Sequence, residues 1–266
     1  MTIEMLAGKR HAIPFGDRGP GLAGRDGVFP GIGGAAMKLL LTGATGFAGG
    51  QVLRQALDDP TIESVTVLTR RALDLEHPKL RQVLRDDFLD YSDLDLTGFG
   101  ACVWCLGVSQ SQVREDAYVR ITHDYALAAA RALFAANPAL RFCFLSGRGA
   151  DPEERQRALY RRIKGRTERS LGALAGKVYV FRPAYIRPTA ISGPRQDIGR
   201  WLAPIGTVIS WFGPGLSVDC EQLAACLLDV AKYGARETLF ENLAIRDWST
   251  SQANEARPGA AGGGRT

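Results

Sequence analysis

Tyr160 and Lys164 stand four residues apart in the run Tyr160-Arg161-Arg162-Ile163-Lys164, and Ser146 lies upstream, closing the apolar run Arg141-Phe142-Cys143-Phe144-Leu145. On a helix, a spacing of four puts both side chains on one face. A free phenol, with a pKa of about 10, exchanges protons poorly at neutral pH, and an ammonium beside it would favour the phenolate and lower that value. Such a pair could hand a proton to an alkoxide as it forms, the acid half of a hydride transfer to a carbonyl. The same spacing also occurs on solvated helices in basic runs, and Arg155 to Arg169 is such a run. The serine-bearing strand before it favours the chemical reading.

A second constellation, Thr42-Gly43-Ala44-Thr45-Gly46-Phe47-Ala48-Gly49, follows an apolar run and opens an amphipathic one. Gly43 permits a tight turn, Gly46 lets the backbone approach a pyrophosphate, and Gly49 allows close packing of helix on sheet, with Thr45 and Phe47 in the same loop. The helix N-terminus then offers free N–H groups and the positive end of its dipole to phosphates. The next apolar run, Val65-Thr66-Val67-Leu68-Thr69, ends in Arg70-Arg71, where an NAD-binding unit would carry an acid for the ribose hydroxyls. A guanidinium there can grip a 2′-phosphate, which argues for NADP, with NADPH preferred over NADH. Two solvated arginines after a strand are the plainer alternative.

These residues need a scaffold. Short apolar runs at 38–42, 64–69, 80–84, 100–106, 141–146 and 177–181 read as strands, and amphipathic stretches near 47–57, 113–136, 152–173 and 220–233 read as helices. This alternation predicts an α/β fold, a doubly wound (Rossmann) parallel sheet with helices on both faces and a small C-terminal substrate-side region. Strand C-termini line the ligand crevice of such a sheet. Asp87-Phe88 would therefore cover an adenine, Leu106-Gly107 would lie beside the cofactor, and Pro183 would border the nicotinamide.

Residues 1–36 hold nine glycines and three prolines and read as a disordered head. The expected domain is 37–250, with the substrate-side segment at 184–219 and a loose tail at 251–266. The uncharged run Trp201–Val218 approaches the length of a membrane span, but Pro204, Gly206, Gly213, Pro214 and Gly215 interrupt it, so a pocket wall or lid is expected instead. With 33 basic and 28 acidic residues the net charge is +5, which favours anionic ligands without selecting one. Five cysteines, mostly in apolar segments and without a secretory signal before them, suit a cytoplasmic location. Cys102 and Cys105 would point to opposite faces of a strand, the three histidines are too dispersed for a ligand set, and no metal is expected. The basic run lacks interleaved aromatics beyond Tyr160, which argues against nucleic acid.

With these motifs in order, the chain over 37–250 resembles the short-chain dehydrogenase/reductase superfamily, in its extended and atypical branch. The signatures are Gly43-x-x-Gly46-x-x-Gly49, Tyr160-x-x-x-Lys164 and the strand-ending Ser146. Within that branch it looks like the Tat-interacting-protein oxidoreductase group. That likeness rests on Cys105-Leu106-Gly107, Tyr118-Val119-Arg120 with His123-Asp124-Tyr125, the stretch Leu145 to Asp151, Phe181-Arg182-Pro183, and Glu241 to Asp247. The resemblance implies that Lys164 also holds the nicotinamide ribose and that Ser146 hydrogen-bonds the substrate oxygen. It further implies an asparagine relaying protons to the lysine, at a position where this chain has Arg120. The expected function is an NADP(H)-dependent oxidoreductase acting on a small-molecule carbonyl or alcohol. A non-catalytic NADP(H)-binding sensor or an assembly protein is the alternative, and a homodimer is left open.

Overall fold

A computed structural model of the chain describes residues 37–187 and 217–255. The strands are β1 (Met37–Thr42), β2 (Ile62–Thr69), β3 (Leu80–Leu84), β4 (Phe99–Trp104), β5 (Arg141–Leu145), β6 (Lys177–Arg182), β7 (Tyr185–Arg187), β8 (Ser217–Asp219) and β9 (Leu239–Glu241). Seven of them form one sheet in the order β3-β2-β1-β4-β5-β6-β9, with every neighbouring pair parallel. β7 and β8 make a separate parallel pair. The helices are α1 (Phe47–Asp58), α2 (Glu115–Val119), α3 (Tyr125–Ala136), α4 (Leu159–Gly172), α5 (Cys220–Tyr233) and α6 (Asn242–Glu255), and a π-helical turn, Arg120–Asp124, joins α2 to α3.

The period of two along each strand divides the core between the two faces of the sheet. Leu39, Leu41, Ala101, Val103 and Phe181 point to one side, where Val52 of α1, Leu223 and Leu227 of α5 and Ile245 of α6 cover them. Leu40, Cys102, Trp104, Phe142 and Phe144 point to the other, against Ala126, Ala129 and Leu133 of α3 and Leu171 of α4. A parallel sheet needs both faces covered because its crossover helices must bury their own apolar stripes. The doubly wound Rossmann fold is thus the observed one.

All six expected strands are present, and the differences lie at boundaries and in short elements. β7, β8 and β9 have only three residues each, too few for an alternation to register. The helix expected at 152–173 begins only at Leu159. Asp151 causes the delay, since its carboxylate accepts from the backbone N–H groups of Glu153 (3.1 Å) and Gln156 (2.8 Å), holding the segment as a loop. The helix expected at 113–136 contains the π turn, which swings His123 between Asp124 (2.7 Å) and Ser170 of α4 (3.1 Å). The last described helix runs to Glu255, beyond the boundary expected at 250. The head at 1–36, the run 201–216 and residues 256–266 lie outside the described residues. Among the described residues no helix is long and apolar enough to cross a membrane, and no cluster of metal-ligating side chains occurs. Cys102 is buried on one face while Cys105 lies beyond the end of β4, and both are free thiols.

One close approach sets the position of α4. A Cβ on Gly165 would fall on the backbone carbonyl of Asp151. Gly165→Ala is therefore expected to push α4 away from the 151–152 loop and to destabilise the fold by about 2 kcal/mol or more, as overpacking does. Urea unfolding of the variant beside the wild type measures this; equal midpoints would contradict it.

Candidate functional site

The C-terminal edge of the sheet carries two groups of residues. The first surrounds the turn after β1. Gly43 has a φ of +71°, and a Cβ there would come within 2.6 Å of the Cys105 carbonyl carbon and 2.9 Å of the Leu106 nitrogen. A Cβ on Gly49 would fall 2.6 Å from the Gly43 carbonyl carbon, so the first turn of α1 rests directly on that peptide. The third glycine thus serves the contact between helix and loop. Thr42 Oγ1 accepts from the Leu106 N–H at 3.1 Å and locks the ends of β1 and β4 together. Gly46, the residue before α1, supplies no side-chain cap, and the first turn holds no acid. Thr45 and Gly46 are exposed and Phe47 is half-buried; the Gly46 N–H closes the turn onto the Gly43 carbonyl at 2.9 Å, and the first turn of α1 follows without a side-chain cap.

Beside this turn lies a small concavity lined by Arg70, Asp86, Phe88, Leu106, Val108, Ile121 and Tyr125. Arg70 and Arg71 are both exposed, and the backbone of Arg71 is held by the Thr69 hydroxyl. Phe88 is a core residue, packed at 5.4 Å from the Tyr125 ring and edge-on to Trp104, and it gives the concavity a rigid floor. Asp87 accepts from the Leu89 N–H at 3.1 Å and meets the Arg120 guanidinium at 3.0 Å. Two expectations change here. Arg120 faces Asp87, on the adenine side expected of this fold, and as a pure donor it cannot replace an asparagine carbonyl. Arg70 also shares its concavity with an acid, Asp86, which the sequence separation concealed.

The second group surrounds the loop after β5. That loop extends the ladder to β6, with Ser146 N–H donating to Phe181 (2.8 Å) and Arg148 N–H to Pro183 (2.9 Å). α4 runs alongside and is laced to it. Lys164 Nζ donates to the Leu145 carbonyl at 2.8 Å and lies 4.7 Å from the Phe144 ring centre. The Tyr160 ring packs on Gly147, its hydroxyl donates to the Arg148 carbonyl, and its own N–H is taken by Gln110 at 2.9 Å. Gly107 is exposed, and Pro183 is buried at the end of β6.

Ser146, Tyr160 and Lys164 thus share one loop and one helix, yet each is bonded to something else. The Ser146 hydroxyl donates to Glu168, which is 6% exposed and is gripped by Arg182. Arg182 reaches on to Glu241 at 3.0 Å, and the adjacent Asn242 accepts from the Ala184 N–H at 2.9 Å. Sequence reasoning missed Glu168, although it lies four residues beyond Lys164 on the same helix face, a spacing that could have flagged it. Burial raises the Tyr160 phenol above its ordinary value, and Arg161 and Arg148 oppose that. Burial pushes the Lys164 ammonium down to about 8, with Glu168 and Cys105 pulling the other way.

A doubly wound parallel sheet with a glycine turn opening the first helix, and with Ser146, Tyr160 and Lys164 at the next crevice, makes this an α/β protein of the Rossmann fold. Over 219 residues the chain is 28% identical to Protein HTATIP2 of Rattus norvegicus, covering 78% of this chain and 87% of that protein. The reductase domain of PhqB from Penicillium fellutanum superposes with a TM-score of 0.59 at 17% identity, over 81% of this chain and 70% of that one. WbmF of Bordetella bronchiseptica, in complex with NAD+, gives 0.60 at 13% identity, over 85% and 81%. Gre2 from Candida albicans, in complex with NADPH, gives 0.61 at 13%, over 77% of each chain. No family model matches the chain. The likeness to Protein HTATIP2 bears out the resemblance drawn from the motifs, to the superfamily and to its Tat-interacting-protein group, and the three solved structures share the fold.

The lowered pKa of Lys164 has a measurable consequence. An unfolded lysine keeps its proton to about pH 10.4, whereas the folded one releases it at about 8. Between those values the unfolded state binds more protons, so this residue's contribution to stability rises with pH. Relative to Lys164→Met, the wild type is expected to gain stability from pH 8 to pH 10. Denaturant titrations of both proteins at the two pH values measure it, and a difference independent of pH would contradict the assignment.

Proposed function

We propose that the chain binds NADP(H) across the C-terminal ends of β1, β2 and β4 and transfers a hydride between the nicotinamide and a carbonyl or alcohol substrate. The observation that carries this reading is the Gly43 to Gly49 turn, where absent side chains and an uncapped, acid-free helix N-terminus leave a cradle for a pyrophosphate. In this reading Thr45, Gly46 and Phe47 meet the pyrophosphate, Arg70 with Arg71 meets the 2′-phosphate, and the Phe88 floor with Asp87 borders the adenine. Leu106, Gly107 and Pro183 flank the nicotinamide half. When bound, the nicotinamide supplies or accepts the hydride.

The chain's own residues handle the proton. Tyr160 donates it to the forming alkoxide after its hydroxyl leaves the Arg148 carbonyl and turns toward Ser146. Lys164 exchanges the Leu145 carbonyl for the ribose hydroxyls. Ser146 has one hydrogen: while it is given to Glu168 the hydroxyl can only accept, from an alcohol substrate's O–H, and to hold a carbonyl or alkoxide oxygen it turns that hydrogen from Glu168 to the substrate. The non-catalytic sensor keeps one specific observation in its favour: the three side chains bond to Glu168, Arg148 and Leu145 and not to one another.

Calorimetry is expected to show NADPH binding more tightly than NADH, with Arg70→Ala narrowing the gap by about 1.5–3 kcal/mol, the worth of a charge-assisted hydrogen bond. Equal affinities would remove the 2′-phosphate role of Arg70. A screen of carbonyl compounds following NADPH absorbance then separates enzyme from sensor. Tyr160→Phe should keep cofactor affinity while turnover falls roughly 10²–10⁴-fold, the usual contribution of a general acid. Tight NADPH binding without turnover of any carbonyl would favour the sensor.

A further inference from the structure

Between positions 148 and 169 the chain carries seven arginines, and the structure separates them into two kinds. Arg155 meets Glu153 at 3.4 Å, Arg162 meets Glu115 at 3.8 Å, and Arg166 and Arg169 share Glu154 at 2.5 and 2.7 Å. Among the described residues, Arg148, Arg157 and Arg161 meet no carboxylate. The neighbouring acids are committed elsewhere, Glu153 and Glu154 to the pairs just named and Asp151 to backbone N–H groups of its own loop.

Two of these three arginines flank Tyr160: Arg148 lends its backbone carbonyl to the phenol, and the Arg161 guanidinium, which also meets the neutral Gln156 amide at 3.4 Å, lies over Gly149. Arg148 and Arg161 are both exposed, and both favour the phenolate, against the effect of burial. The backbone of Arg148 is pinned on two sides, its N–H to Pro183 and its carbonyl to the Tyr160 hydroxyl. Arg161 folds back over Gly149, where an added Cβ would come within 3.2 Å of its Nε, so the glycine leaves room for it beside the phenol. This position belongs to the end of β5. The phosphate cradle lies at the end of β1, on the far side of β4, so the cofactor's phosphates do not account for these charges.

We propose that the substrate is an anion, a carboxylate- or phosphate-bearing carbonyl or alcohol whose charged group is held by Arg148 and Arg161 while its reacting oxygen lies at Tyr160. The proposal deepens the hydride-transfer reading and rests on it for the identity of the reacting group. Guanidinium groups suit both anions because their planar donors match carboxylate and phosphate oxygens in pairs. An uncompensated positive rim would also raise the local concentration of an anionic substrate.

Calorimetric titration of the full chain saturated with NADP+, so that no hydride moves, tests this with three probes: 4-carboxybenzaldehyde, 4-formylphenyl phosphate and the neutral methyl 4-formylbenzoate. At least one anion is expected to bind tenfold or more tightly than the ester, and the ranking of the two anions tells carboxylate from phosphate. The advantage should vanish in the Arg148→Ala, Arg161→Ala double variant, fall in part with Arg148→Gln or Arg161→Gln alone, and persist in Arg155→Ala, whose partner is Glu153. Equal binding of all three probes would overturn the proposal and leave the arginines to an acidic macromolecule. An anion preference surviving the double variant, at unchanged melting temperature, would overturn it as well. Failure of NADP+ to bind at all would instead count against the oxidoreductase reading, and the probe titrations on the free chain would still decide the anion site.

Discussion

Three chain segments meet at the Gly43 peptide with no room for a side-chain carbon. The end of β4 presses on it from one side through Cys105 and Leu106, and the first turn of α1 rests on its carbonyl from the other through Gly49. Because the approach is backbone to backbone, flexible side chains cannot relax it, and the start of α1 is fixed relative to the sheet. The Gly46 N–H closes the turn onto the Gly43 carbonyl at 2.9 Å, the uncapped first turn of α1 beyond it opens at the crevice, and the Thr42 to Leu106 hydrogen bond ties β1 to β4 beside it. Arg70 at the end of β2 and Leu106 beyond β4 then face one shared concavity because the strands bearing them flank β1 on either side.

The second crevice is held by a different device. Burying Glu168 against Arg182 carries a desolvation cost that excellent geometry only partly returns, so such a pair is weak support for stability by itself. Its effect here is positional. It links α4 to the end of β6, continues through Arg182 to Glu241, and takes the Ser146 hydrogen, so that serine, helix and strand move as one unit. Tyr160 stands outside this unit, on Gly147 and the Arg148 carbonyl. The two crevices thus differ in kind: close backbone packing makes the cradle at β1, and a charged side-chain network organises the end of β5.

Arg120 departs from the pattern of the resemblance and has partners of its own. In the resemblance it replaces a proton-relaying asparagine, but its guanidinium binds Asp87 and lies 5.9 Å from the Tyr125 ring centre. The π turn beginning at this residue shifts the phase of the helix, and no periodicity in the sequence marks the shift.

What the sequence by itself determined is local or periodic. The glycine spacing after a strand, the six strands with their alternating faces, the helix carrying Tyr160 and Lys164, and the parallel doubly wound class follow from steric demands and hydrophobic period, which act over a few residues. Only the tertiary structure decided which charges meet. Glu168 finds Arg182 across 14 positions, Asp87 finds Arg120 across 33, and Arg182 finds Glu241 across 59. Asp86 lines the same concavity as Arg70 because β2 and β3 are neighbours in the sheet, and Arg148 and Arg161 flank Tyr160 because the β5 loop and α4 pack side by side. Charge pairing depends on distance in space, which the chain sets only after its apolar faces have been buried.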